Sequence, residues 1–169
     1  GENVAGIGST ITKQSTFEEC QFDGVITTNN RDCGGIIDEI NGGRVNMRHC
    51  LFSGVINNSY DFGGTRTGGL IGFVYKTSAA IIQDSLVSGK INCDKTPYTG
   101  SVVGVGYVES QTTVNDTYAA AGAYAVTVAT TNGTWTGTPL GIKDEKLIGV
   151  KAYQWTSLDF DKYWSAVEG

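Results

Sequence analysis

Two blocks of sequence recur in step along this chain, and that recurrence restricts the fold more than any other feature. VAGIGSTI (4–11) aligns with CGGIIDEI (33–40), GGLIGFV (68–74) and GSVVGVG (100–106), at offsets of 29, 34 and 32 residues. FEECQFDGVI (17–26) aligns with MRHCLFSGVI (47–56), IQDSLVSGKI (82–91) and VNDTYAAAGA (114–123), at offsets of 30, 35 and 32. Two independent blocks therefore keep phase through four units, and a fixed period of this size is the mark of a repeat architecture.

The aligned units expose columns of alike residues. Phe17, Met47, Ile82 and Val114 form one apolar column, and Phe22, Phe52, Val87 and Ala119 a second. Ile26, Ile56, Ile91 and Ala123 form a third, Ile7, Ile36, Leu70 and Val102 a fourth, and Ile11, Ile40 and Val74 a fifth. Within a block the apolar spacing is near two, the period of a strand with one buried face, and a 3.6-residue period does not fit. A unit of about 30 residues with several short strands cannot bury its apolar face alone, but stacked units share a core. The chain therefore reads as all-β, a short parallel β-helix (β-solenoid) of about four coils. The coils fall at 4–32, 33–67, 68–99 and 100–123, within a repeat region of 1–123.

Composition agrees. The 24 glycines and two prolines, with abundant Asn, Thr and Ser, disfavour helices and suit short strands and turns. Glycines at the corners, Gly24, Gly54 and Gly89 at one and Gly35 and Gly69 at another, meet a need for φ > 0 or for close backbone approach. A net charge of −5 with no basic cluster argues against nucleic acid as a partner. No apolar run approaches the ~20 residues of a membrane span. Gly1 opens the chain without a Met, which reads as a mature fragment of a larger protein.

Gly69-Leu70-Ile71-Gly72 resembles the GLUG motif, Gly-Leu-hydrophobic-Gly, of repeat regions in bacterial surface and secreted proteins, including some immunoglobulin A peptidases. Ile82 to Gly89 is similar to that family's companion pattern, an apolar residue, Asn/Asp-Ser, then glycine. Gly35-Ile36-Ile37-Asp38 and Ser101-Val102-Val103-Gly104 depart from the motif. The resemblance covers roughly 4–123 and implies an extracellular or cell-surface location in a bacterium.

Residues 124–169 lose the repeat and read as a C-terminal cap over the exposed end of the solenoid. Residues 123–137 alternate like a strand or hairpin with a turn at Asn132-Gly133. Residues 156–169 read as a short helix capped by Ser157, with Phe160, Trp164 and Val167 on one face and Trp155 and Trp164 as packing anchors.

Chemistry has few footholds. Glu19, His49, Asp84 and Asp116 share one column, so stacking lines up four ionisable groups; like charges that close raise a carboxylate pKa, as acid–base chemistry requires. The structural reading of the column is stronger, because a short polar side chain just before a corner bonds to nearby backbone. Cys20 and Cys50 share a column with Ser85 and Thr117 and read as stacked reduced thiols, while Cys33 and Cys93 have no aligned partner. The cysteine spacing fits neither zinc nor a disulfide framework, and no metal or other cofactor is expected.

The longest and most variable connection runs from Asn57 to Thr67. Its Tyr60, Phe62 and Arg66 suit a contact loop for a glycan or for a host or cell-surface protein. The expectation is an extracellular repeat module for adhesion, ligand display or spacing, with no catalysis of its own. The alternatives are a β-helix enzyme acting on polysaccharide, like a pectate lyase, or the repeat region of a larger immunoglobulin A peptidase-type protein.

Overall fold

The computed structural model describes residues 3–60, 65–93, 99–106, 110–115, 117–120, 128–131, 134–136 and 140–142. The first winding is β1 (Asn3–Ala5), β2 (Gly8–Ile11), β3 (Gln14–Glu18), β4 (Gln21–Phe22) and β5 (Val25–Thr28). The second is β6 (Asp32–Gly34), β7 (Ile37–Ile40), β8 (Arg44–Arg48), β9 (Leu51–Phe52) and β10 (Val55–Asn58). The third is β11 (Arg66–Gly68), β12 (Ile71–Val74), β13 (Ala79–Gln83), β14 (Leu86–Val87) and β15 (Lys90–Cys93). Of the fourth, β16 (Thr99–Gly100), β17 (Val103–Gly106), β18 (Gln111–Asn115) and β19 (Tyr118–Ala120) are described, followed by β20 (Val128–Thr131), β21 (Thr134–Thr136) and β22 (Leu140–Ile142).

Each strand pairs with its equivalent one winding away, and every pairing described is parallel. The strands form five ladders: sheet A (β1-β6-β11-β16), sheet B (β2-β7-β12-β17-β20), sheet C (β3-β8-β13-β18-β21), sheet D (β4-β9-β14-β19-β22) and sheet E (β5-β10-β15). The fold is thus a parallel β-solenoid of three complete turns and the described part of a fourth. Among the described residues there is no helix. β20 and β21 do not form the expected hairpin: they pair with β17 and β18 and carry the ladders onward. The expected helix at 156–169 lies outside the described residues.

The predicted columns are rungs. Phe17 is in register with Met47, Met47 with Ile82 and Ile82 with Val114. Phe22, Phe52, Val87 and Ala119 stack on sheet D, and Ile26, Ile56 and Ile91 on sheet E. The Phe22 and Phe52 rings lie parallel, 3° apart with centroids at 6.3 Å. From the second rung inward these side chains are fully or almost fully buried. In the first winding Phe17 and Phe22 are only partly buried and Ile7 is 47% exposed, because no described strand lies beneath them.

The corner between sheets A and B repeats as faithfully as the rungs. There one carbonyl takes two amides from the winding below. Ile36 O accepts from Ile7 and Gly8 N–H at 3.2 and 2.9 Å, Leu70 O from Ile36 and Ile37 at 3.1 and 2.9 Å, and Val102 O from Leu70 and Ile71 at 3.0 and 3.1 Å. The motif glycines serve close approach. A Cβ on Gly69 would run into the Ser101 carbonyl and stand 2.7 Å from Val87 Cγ1, and one on Gly72 would stand 2.6 Å from Cys33 O. Positive φ falls instead on Glu19 (56°), His49 (53°) and Asp84 (46°), at the bend between sheets C and D, and on Thr77 (59°) between sheets B and C; among the described glycines only Gly42 has it, at 79°.

That bend explains the cysteine column. Cys20 Sγ donates to Glu18 O at 3.5 Å, Cys50 Sγ to Arg48 O at 3.3 Å, Ser85 Oγ to Gln83 O at 2.9 Å and Thr117 Oγ1 to Asn115 O at 2.9 Å. A small side chain with one X–H donor closes the same two-residue turn in every winding. Cys20 and Cys50 are unbridged, and burial pushes the Cys50 thiol up to about 12, which leaves it inert as a nucleophile.

A candidate contact cleft between sheets E and A

The connections from sheet E to sheet A differ in length. Residues 29–31 link β5 to β6, residues 59–65 link β10 to β11, and residues 94–98 link β15 to β16. They start alike: Thr28 Oγ1 accepts the Asn30 N–H at 3.1 Å and Asn58 Oδ1 accepts the Tyr60 N–H at 3.1 Å. Side-chain oxygens that accept from the residue two ahead set such turns locally. The Asn58 amide also ties the windings together, donating to Asn30 O at 2.9 Å and to Thr67 Oγ1 at 3.0 Å.

Where Tyr60 stands beside the first connection, a cleft of about 360 Å³ is lined by Asn30, Arg31, Asp32 and Tyr60. Its floor is charged. The Arg66 Nε and Nη2 both donate to the Asp32 carboxylate, a bidentate pair with side chains 13% and 5% exposed. The Arg66 guanidinium also lies 3.6 Å from the centroid of Phe73, whose ring meets Tyr75 edge-on at 5.6 Å. Planar pairing and stacking of this kind fix an arginine in one place. Arg31, by contrast, is 56% exposed, with Nε 3.6 Å from Asp32 Oδ1. The cleft therefore offers an exposed cation, an amide, a phenol and the edge of a buried carboxylate.

Behind this floor lies Asp38, fully buried and in the column where Gly72 and Gly104 stand in later windings. Neither of its carboxylate oxygens has a hydrogen-bond partner among the described residues. Burial first, then the charges of Asp32 and Glu39, push its pKa up to about 8 against an opposing pull from Arg66. Asp38 is thus a neutral acid at pH 7. Burial, with Asp38, Cys93 and Asp32 nearby, also pushes the Cys33 thiol up to about 12.

The expected contact residues separate. Tyr60 lines the cleft, Arg66 is locked beneath it by Asp32, and Phe62 lies outside the described residues. Asn30, Arg31 and Asp32 were not singled out from sequence, although a signal existed: the 34-residue offset that aligns Gly34 with Gly68 also sets Asp32 opposite Arg66. The ionisable column sits elsewhere, at the bend between sheets C and D. His49 Nε2 is 4.0 Å from Asp84 Oδ2, Glu19 is exposed, and Asp116 lies outside the described residues. Their shared positive φ gives the column a backbone role, since His and Asp tolerate that conformation better than most residues. Among the described residues no group of three or more His, Cys, Asp or Glu side chains is placed to hold a metal ion.

No family model matches the chain, so the GLUG likeness remains a resemblance. No solved structure matches it either. Among curated proteins, halomucin of the archaeon Haloquadratum walsbyi is 35% identical over 89 residues, which is 51% of this chain and 1% of halomucin. The chain is therefore a β-solenoid repeat region that resembles, over half its length, a small part of a very large archaeal protein.

Proposed function

We propose that the chain is a module of a large extracellular or cell-surface protein, which spaces and displays its neighbours and makes contacts through the cleft between sheets E and A. The observation that carries the contact assignment is the placement of Tyr60 and Arg31 around one cleft, at a corner whose connections vary in length while the ladders on either side do not. Variable loops on a rigid scaffold are where binding concentrates. The partial likeness to halomucin, a very large protein with a mucin's name, supports surface display as the setting. The archaeal source of that relative lends no support to a bacterial origin. A cleft with one aromatic ring, one exposed guanidinium and one amide suits an oligosaccharide or a polar loop of a surface protein.

The test is to probe the immobilised full chain with a panel of neutral and acidic oligosaccharides. Tyr60→Ala and Arg31→Ala should each weaken the best binder at least ten-fold. The melting temperature should stay put, because an exposed ion pair contributes only about 0.2–1 kcal/mol. A panel binder that holds the double variant as tightly as the parent chain would remove the cleft from the account.

A further inference from the structure

A second polar surface lies on another side of the molecule, at the corner between sheets B and C. There a cleft of about 400 Å³ is lined by Gln14, Gly42, Gly43, Arg44, Thr77, Ser78, Ala79 and Gln111. Gln14, Arg44, Ala79 and Gln111 are the first residues of four successive strands of sheet C and stand in register. Ala79, a single methyl in this column, makes the notch. A Cβ added to Gly42 would meet nothing within 4 Å, so this side of the cleft is open backbone.

The cleft runs onto the outer face of sheet C. The alternating burial of its strands turns Asn46, Ile81 and Thr113 outward in the next column, and Arg48, Gln83 and Asn115 in the one after. Successive side chains are ~4.8 Å apart across the rungs and ~6.8 Å apart along a strand. Five side-chain amides, Gln14, Asn46, Gln83, Gln111 and Asn115, run through this array beside Thr16 and Glu18 of the first winding, and Ile81, 38% exposed, gives it one apolar spot.

Charge singles out the same corner. Lys13, Arg44 and Lys76 lie there in three successive windings and are all exposed, and the stretches 11–16, 41–46 and 75–83 contain no Asp or Glu, while the fourth connection, 107–110, carries Glu109. In a chain of net charge −5 these three windings gather cations at one corner. Arg48, farther out on the face, is neutralised by Glu18 at 3.1 Å; Arg44 makes no ion pair among the described residues.

We propose that this corner and the face beside it bind an extended acidic polysaccharide. The Arg44 fork takes a uronate carboxylate in the cleft, the amide ladder takes sugar hydroxyls, and Ile81 meets the C–H face of a ring. Arginine matches a planar carboxylate with two parallel hydrogen bonds, a geometry an ammonium cannot supply. A protein partner fits less well. Four rungs by five residues span roughly 200 Å² at strand spacings, against about 800 Å² per partner in a stable protein interface, and the face has no aromatic anchor. This site is independent of the cleft between sheets E and A.

The test is electrophoresis of the full chain through gels holding polygalacturonate, its methyl ester or dextran sulfate, followed by titration with hexagalacturonate. Polygalacturonate should retard the chain and its methyl ester should do so much less. Arg44→Ala and Ile81→Asp should each cut hexagalacturonate affinity at least ten-fold, and Arg44→Lys should fall between, with thermal melts confirming that each variant is folded. Tyr60→Ala should change nothing. No retardation by polygalacturonate, or equal retardation of Arg44→Ala, would overturn the proposal. So would retardation by dextran sulfate alone, which reports diffuse charge rather than carboxylate recognition, or loss of binding in Tyr60→Ala, which would hand the ligand to the other cleft.

Discussion

The bend between sheets C and D and the corner between sheets E and A are built from the same repeat and behave in opposite ways. At the bend, positive φ is described in three windings, and the same side-chain-to-carbonyl bond closes the turn in all four. At the corner, the first two connections share only their opening turn and then diverge in length. A bend that every winding copies leaves little freedom to specialise, and His49 and Asp84 share its positive φ. A corner that each winding builds differently can gather unlike side chains such as Arg31, Asp32 and Tyr60 around one cleft.

Substitutions at three positions break or sharpen this contrast. The largest effect belongs to the rungs that hold both regions in place: Phe52→Ala removes a fully buried ring stacked on Phe22 and should cost about 3–5 kcal/mol in denaturant unfolding. Next comes Asp38, behind the variable corner. Its pKa in the folded chain, about 8, lies above its unfolded value, so folding favours the protonated acid. The stability tied to this proton is full below ~pH 4 and is lost as pH rises through about 8. Asp38→Asn cannot ionise, so from pH 5 to pH 9 it should gain roughly 2–4 kcal/mol relative to the parent chain. Parallel pH profiles for the two chains would show that burial, with the charges of Asp32 and Glu39, does not raise this acid as described. The smallest effect belongs to the uniform bend. Ser85 Oγ donates to Gln83 O at 2.9 Å and accepts the Cys50 N–H at 3.1 Å. Ser85→Ala should cost about 1–3 kcal/mol by stranding that buried donor, and Ser85→Cys should recover part of it, since cysteine fills the same place in two other windings. A Ser85→Ala chain as stable as its parent would mean the repeated bond is a by-product of the bend rather than a cause of it.

What was legible in the sequence follows the same division. The rungs were readable because a ladder forces like residues into one column: Phe22 over Phe52 over Val87, and Ile26 over Ile56 over Ile91. The role of the glycines was half readable. Pattern alone cannot tell close approach from positive φ, and close approach is what Gly69 and Gly72 serve. Tyr60 was singled out because it sits in the longest connection. Asn30 and Arg31 lie in the shortest and Asp32 opens β6 beside them, and a short connection carries no signal until the winding above is laid over it. Near Asn132 alternation allowed a strand or a hairpin, because it predicts a strand but not its partner; the strands are there, and their partners lie in the preceding winding. The corner between sheets B and C was hidden as well, since its three cations are spaced too far apart in sequence to register as a cluster.

The way each winding hangs on the next has a mechanical consequence. A turn adds only ~4.8 Å along the solenoid axis, yet it stores a strip of about 30 residues that can stretch to ~100 Å. A winding pulled whole from such a stack would release about twenty times the length it gives up as rise.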